Sequence, residues 1–177
     1  LRDDGDASLP EIARSALLAL GAHLEALAGE IRALERQLIV WHRADPTSQR
    51  LETIPGVGLI TATALAASVS DPSVFKSSRE FAAFLGLVPR QNSSGGKDRL
   101  GRISKMGDRY LRKLLVVGAT SVIRRAGSNP TKTGAWVRSL MERKPARVVT
   151  VAMANKTARI SWAVMTRGEA YRASPIA

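Results

Sequence analysis

Apolar residues recur at Leu17, Leu20, Leu24, Leu27, Ile31, Leu34, Leu38 and Trp41. The spacing alternates three and four without a slip, which predicts a helix carrying a heptad seam. Pro10 and Glu11 suit the first turn of that helix, and Asp45-Pro46 suits its end. Positions beside the seam are mixed, with Glu30 and Glu35 charged and Gly21 and Ala28 small. A helix cannot bury such a stripe against itself. The pattern reads as a coiled-coil or helical-hairpin spacer ahead of an ordinary core-facing helix, because it lies in an acidic section that stops at Asp45-Pro46.

The pattern then changes. Leu51-Glu-Thr-Ile-Pro-Gly-Val-Gly leads into the alanine-rich run from Leu59 to Val69, so a tight turn at Pro55, Gly56 and Gly58 precedes a helix. Helix-hairpin-helix modules have this form. Their glycines let the backbone approach a phosphate at the following helix N-terminus, whereas a plain helix-helix turn would need no ligand. Asp71-Pro72 ends the helix. Ser77 and Ser78 then offer caps for a short amphipathic helix through Phe81, Phe84 and Leu85. Residues 86–102, rich in Gly, Ser and Asn, read as a loop or hairpin. Gly107-Asp108 opens a periodic helix (Tyr110, Leu111, Leu114, Leu115, Gly118, Val122), and Asn129-Pro130 breaks the chain again. A short helix over 135–143 and a long one after Pro145 complete the body, with the β-branched run Val148–Val151 as an alternative strand. The last residues, 173–177, read as a tail.

The formal charge of +12 is unevenly spread. Residues 1–50 hold six Lys/Arg against eight Asp/Glu, and residues 51–177 hold twenty-one against seven. A basic block joined to a mildly acidic spacer is the electrostatic pattern of a polyanion-binding domain, with nucleic acid the expected partner. The sequence has no cysteine, which excludes disulfides and thiolate metal sites. Its two histidines, His23 and His42, make a histidine metal site unlikely in the basic part. The sequence presents neither a signal peptide nor a membrane-length apolar run, so a soluble, reducing compartment is expected. Leu1 in place of methionine suggests a fragment of a longer protein.

The chemistry concentrates around Ser93-Ser94-Gly95-Gly96-Lys97. A serine hydroxyl is a weak nucleophile, and a phosphodiester repels anions. Reaction between them needs an exposed hydroxyl, an unhindered backbone and nearby cations. Ser94, with Ser93 its rival, has glycines beside it and Lys97, Arg99, Arg102, Lys105, Arg109, Arg112 and Lys113 close along the chain. Composition alone would make Ser94 a solvated loop serine. Ser104 reads as a helix cap or phosphate contact.

The order of these motifs resembles the C-terminal domain of the Piv/MooV-type transposases and DNA invertases, a group that includes bridge-RNA-guided insertion-sequence transposases. It runs Ile54-Pro-Gly-Val-Gly, Phe75-Lys-Ser-Ser-Arg-Glu-Phe, Gly86-Leu-Val-Pro, Ser94-Gly-Gly-Lys, Arg102-Ile-Ser-Lys-Met-Gly-Asp-Arg-Tyr-Leu-Arg and Ala154-Asn-Lys-Thr-Ala-Arg-Ile. The resemblance covers about residues 51–172. It implies a recombinase whose serine, here Ser94, bonds covalently to a DNA phosphate. It also implies a separate N-terminal domain with four acidic residues holding Mg2+, a connecting coiled coil, and a guide RNA. No four-carboxylate cluster occurs here, so no metal or other cofactor is expected in this chain. The expected fold is all-α: a coiled-coil spacer (1–50) followed by a compact serine-bearing domain (51–172) with a helix-hairpin-helix and a Gly/Ser-rich catalytic loop. Expected contacts to nucleic acid are Gly56, Gly58, Gly95, Gly96, Lys97, Arg99, Arg102, Ser104, Lys105, Arg109, Arg112, Lys113, Lys156 and Arg159. Expected partners are DNA, a guide RNA and further copies of the chain through the coiled coil, with no membrane, in a prokaryotic cytoplasm at the nucleoid.

Overall fold

The computed structural model describes residues 9–92, 100–128 and 130–173. It is mostly α-helical: α1 (Glu11–Ala44), α2 (Pro46–Glu52), α3 (Leu59–Ser68), α4 (Ser78–Phe84), α5 (Arg109–Arg124), α6 (Lys132–Met141) and α7 (Ala146–Arg167). One small antiparallel sheet, β1 (Pro89–Gln91) with β2 (Leu100–Ile103), forms a hairpin in the stretch read as a loop or hairpin. The run Val148–Val151 is helical, so the strand alternative is overturned. Pro145 immediately before α7 suits a helix entry, and the valines continue the helical pattern in which Val149 is buried. The short helix read at 135–143 starts earlier, at Lys132, because the Thr131 side chain caps it by accepting from the Gly134 N–H.

The chain divides into two units, residues 1–41 and 42–177. In the first, α1 runs without an internal proline, and its 34 residues are about 51 Å long at 1.5 Å per residue. The heptad seam lies exposed: Leu20, Leu24, Leu27, Ile31 and Leu34 each show more than half of their surface, up to 68% at Leu24.

In the second unit, a core of Leu51, Ile54, Leu65, Phe81, Leu85, Leu111, Leu115 and Met153 is fully buried, where each large side chain contributes about 1.5–3 kcal/mol. Helix α7 packs against α2, α4, α5 and α6. Phe75 meets Phe81 edge-on with ring centroids 5.1 Å apart, and the Trp162 indole donates to the Pro72 carbonyl at 3.1 Å. The turn between α2 and α3 crosses α5 at very short range. Gly56 has φ +84°, and a Cβ on it would lie 2.7 Å from the Gly118 carbonyl oxygen. Only glycine satisfies both the torsion and the approach.

Where α1 gives way to α2, three polar side chains lock together. His42 Nδ1 lies 2.7 Å from Ser48 Oγ, and His42 Nε2 lies 2.9 Å from Glu52 Oε2. A carboxylate can only accept, so Nε2 donates to Glu52, while Nδ1 pairs with the serine hydroxyl. The Ser–His–Glu order resembles a hydrolase triad, but Ser48 is 0% exposed and no substrate can reach it. Its role is to fasten α2 to the end of α1.

Candidate nucleic-acid interface

The segment between β1 and β2 begins and ends on a fixed base. Gly86 (φ +69°) and Gly107 (φ +81°) both sit in the left-handed region, and each backbone passes another closely. A Cβ on Gly86 would lie 2.1 Å from the Met106 carbonyl oxygen, and one on Gly107 only 1.7 Å from that of Phe84. Ser104 N–H donates to Val88 O at 2.9 Å and Lys105 N–H to Gly86 O at 3.1 Å, continuing the pairing of Pro89 with Ile103. Arg112 Nη1 spans both feet, donating to Leu85 O at 3.0 Å and Met106 O at 3.2 Å. Arg112, expected on a phosphate, therefore has a guanidinium nitrogen committed to holding the hairpin base. Asn155 of α7 adds a fourth tie, its Nδ2 donating to Leu87 O at 3.1 Å.

Among the described site residues, Arg102, Lys105, Lys156 and Arg159 line a single groove of about 1220 Å³ between the hairpin and α7. Arg147, missed in the sequence reading, supplies a fifth cation, and no carboxylate is among the described lining residues. Trp136 forms part of the wall, with the Lys156 ammonium 4.5 Å from its ring centroid. Burial holds the Lys156 pKa below the usual lysine range. Lys105 has φ +56°, a left-handed conformation costing about 1 kcal/mol or more in a residue with a Cβ. This strain therefore sits on the groove's rim.

Other expected residues lie elsewhere. Arg109 and Lys113 are exposed on the first turns of α5. Gly58 caps α3 without a side-chain bond, whereas Gly56 is engaged with Gly118. Ser104 caps no helix. Its Oγ accepts at 3.5 Å from Met106 N–H, while Asp108 caps α5 by accepting from Leu111 N–H at 2.8 Å. Ser93, Ser94, Gly95, Gly96, Lys97 and Arg99 lie outside the described residues.

A magnesium site does not fit the described residues. Among the described residues, no three potential ligands gather as a metal-holding group. Asp45, Asp71 and Asp108 each cap a helical turn, and Glu52 holds His42. Asp71's carboxyl is pulled below its ordinary pKa by the Ser73 side chain and N–H. No described helix is long and apolar enough to cross a membrane.

Fold and site together define a strongly basic helical domain with a cation-lined groove beside a firmly based hairpin. Residues 48–134, which contain the α2–α3 turn, the hairpin and α5, match the model of the transposase IS116/IS110/IS902 family. It is 46% identical over 168 residues to a putative transposase, y4pF/y4sB, of Sinorhizobium fredii, covering 94% of this chain and 43% of that protein. It is 47% identical over 166 residues to a probable family 20 transposase of Pseudomonas aeruginosa, covering 94% and 49% respectively. A pilin gene-inverting protein of Moraxella bovis is 30% identical over 122 residues, covering 68% of this chain and 37% of that protein. The chain thus spans less than half the length of these relatives.

Proposed function

We propose that the chain is the serine-bearing part of a DNA transposase, with Ser94 as the nucleophile. The observation that carries this reading is the placement of the hairpin. The residues flanking its Ser-Ser-Gly-Gly segment, notably Arg102 and Lys105, also line a groove whose described residues include five cations and no carboxylate. In the step proposed, Ser94 Oγ bonds to phosphorus as a bridging P–O bond of the DNA strand breaks. The departing deoxyribose oxygen leaves as a hydroxyl, and the covalent phosphoserine keeps the phosphodiester's energy for strand exchange. Lys97, Arg99 and Arg102 offset charge on the pentavalent phosphorus, and Lys105, Arg109, Lys113, Lys156 and Arg159 hold the strand. Neither histidine belongs to the basic block of residues 51–177, and the reading assigns the serine's proton to a group in another part of the intact protein.

Motif order supports two further parts of the reading: a guide RNA that selects the target, and a Mg2+-holding domain in another part of the intact protein. No step here is routed through that metal. The exposed seam of α1 supports association of copies through a coiled coil, which would remove eight apolar side chains from water.

The experiment is to trap a covalent protein–DNA adduct on the intact transposase and map the modified residue by mass spectrometry. Ser94→Ala should abolish the adduct and strand transfer while DNA binding persists. An adduct that survives in Ser94→Ala and disappears in Ser93→Ala would move the chemistry to the neighbouring hydroxyl. A second reading, a non-catalytic DNA- or RNA-binding module, draws on the same groove. It requires that Ser94→Ala leave the protein's function intact.

A further inference from the structure

The groove beside the hairpin contains more than a duplex backbone requires. Exposed Arg102, Lys105, Arg147 and Arg159 alternate with buried Leu87, half-buried Val151 and Ile160, and the half-buried ring of Trp136. At about 1220 Å³ it exceeds the roughly 300–1,000 Å³ of small-molecule pockets. A duplex keeps its base faces stacked and offers phosphates and groove edges, and proteins read those edges with convex helices or ribbons. A concave, aliphatic-floored cleft has nothing to bury against such a surface. An unpaired strand supplies both complements, phosphates for the cations and flat base faces for aromatic and aliphatic walls. The Lys156 ammonium supports the same conclusion. It is partly desolvated over Trp136 with no carboxylate among the described lining residues, a cost that an incoming phosphate would relieve.

We propose that this groove binds an unpaired stretch of DNA strand, with bases against Trp136 and the aliphatic face of α7 and phosphates on Arg102, Arg147 and Arg159. The inference rests on the DNA-transacting reading above and adds the form in which the DNA is held. It brings in Trp136, Val148 and Val151, residues with no role in that reading, and gives Arg147 a phosphate to hold. A strand opened at a cleavage site could then be held next to the hairpin instead of re-annealing.

The test is fluorescence anisotropy of the chain with one labelled sequence of about 20 nucleotides, presented as single-stranded DNA, as duplex and as single-stranded RNA, at about 50 and 200 mM salt. The single DNA strand should bind about tenfold tighter than the duplex, in keeping with stacking of at least one base. Trp136→Leu should weaken the single strand about tenfold and change duplex affinity less than about twofold. Val148→Glu is a second arm that spares the fold, since Val148 is exposed in the first turn of α7, where a carboxylate suits the helix. It should weaken the single strand comparably by repelling phosphates. Equal binding of single strand and duplex, both insensitive to the two substitutions, overturns the groove assignment and leaves the DNA-binding reading standing. RNA bound about tenfold tighter than DNA overturns the choice of occupant. Negligible binding of every probe at the lower salt overturns this inference and the DNA-binding reading together.

Discussion

Gly118→Ala tests the packing of the second unit at its tightest point. In the middle of an unconstrained helix this change would be favourable by about 1 kcal/mol. Here the new Cβ would stand 1.8 Å from the Gly56 carbonyl oxygen and 2.9 Å from its carbon. Both neighbours are backbone, so neither can swing aside. Ordinary contact begins at 3.4 Å, so α5 and the α2–α3 turn must part by about 1.6 Å (3.4 less 1.8). A gap of even 0.5–1 Å forfeits about a quarter to a half of the dispersion attraction across the seam that Leu115, Ala119 and Val122 help to form. Overpacking of this kind costs about 3 kcal/mol at the upper end of its usual range, and the helix-propensity gain returns about 1. The net loss of about 2 kcal/mol lowers the melting temperature by about 4–8 °C in a chain of this size. Gly29→Ala is the matched control, because a Cβ there meets nothing within 4 Å. It should raise the helicity of α1. Thermal and urea unfolding followed by far-UV circular dichroism, run on both variants, would decide the matter. A Gly118→Ala protein that melts at or above the parent would refute the close crossing of α5 over the turn.

Arg112→Ala should cost about 2 kcal/mol, because the Leu85 and Met106 carbonyls lose a charged donor, and amide exchange at Ser104 and Lys105 should quicken. His42→Ala leaves the fully buried Ser48 hydroxyl without its partner and should cost about 2–3 kcal/mol in chemical denaturation. Adding Ser48→Ala should then cost much less than it does alone, which a double-mutant cycle would measure. Lys156→Met should raise the melting temperature while weakening single-stranded DNA. Because burial lowers the Lys156 pKa in the folded state, the unfolded chain holds its proton to higher pH, so the parent should gain stability as pH rises through that depressed value. The methionine variant should lack this gain in pH-dependent thermal melts.

The elements that follow local rules were legible in the sequence. The three-four spacing from Leu17 to Trp41 falls within one continuous helix, Ser77 caps α4, Asp108 caps α5, and the glycine turn at 55–58 joins α2 to α3. Where two local rules competed, tertiary packing decided. The β-branched Val148–Val151 run could have paired as a strand, but Val149 and Met153, four residues apart, are buried on one side of α7. What the sequence hid was convergence. Gly118 read as an unremarkable helical glycine, and nothing near it announces Gly56, sixty-two positions away. Arg112 looked like one more cation on a basic helix until its guanidinium met Leu85 and Met106. The groove was half legible: Arg102, Lys105, Lys156 and Arg159 were singled out for charge, but only the packing of α6 beside α7 brings Trp136 to them, and Arg147 joins from the first turn of α7. His42, Ser48 and Glu52 stand at an interval of six and then four, a signal too weak to notice without the fold.

The glycine crossings and the Arg112 brace have a practical bearing on how genetic experiments should be interpreted. The described ties that fix the hairpin's feet, from Gly86 and Gly107 to Asn155, are made by residues outside 93–99. Removing the hydroxyl of Ser94, which leaves a methyl side chain, removes none of those ties. A silent Ser94→Ala protein can therefore be attributed to missing chemistry, whereas silence after a change at Gly107 would say only that the scaffold had collapsed.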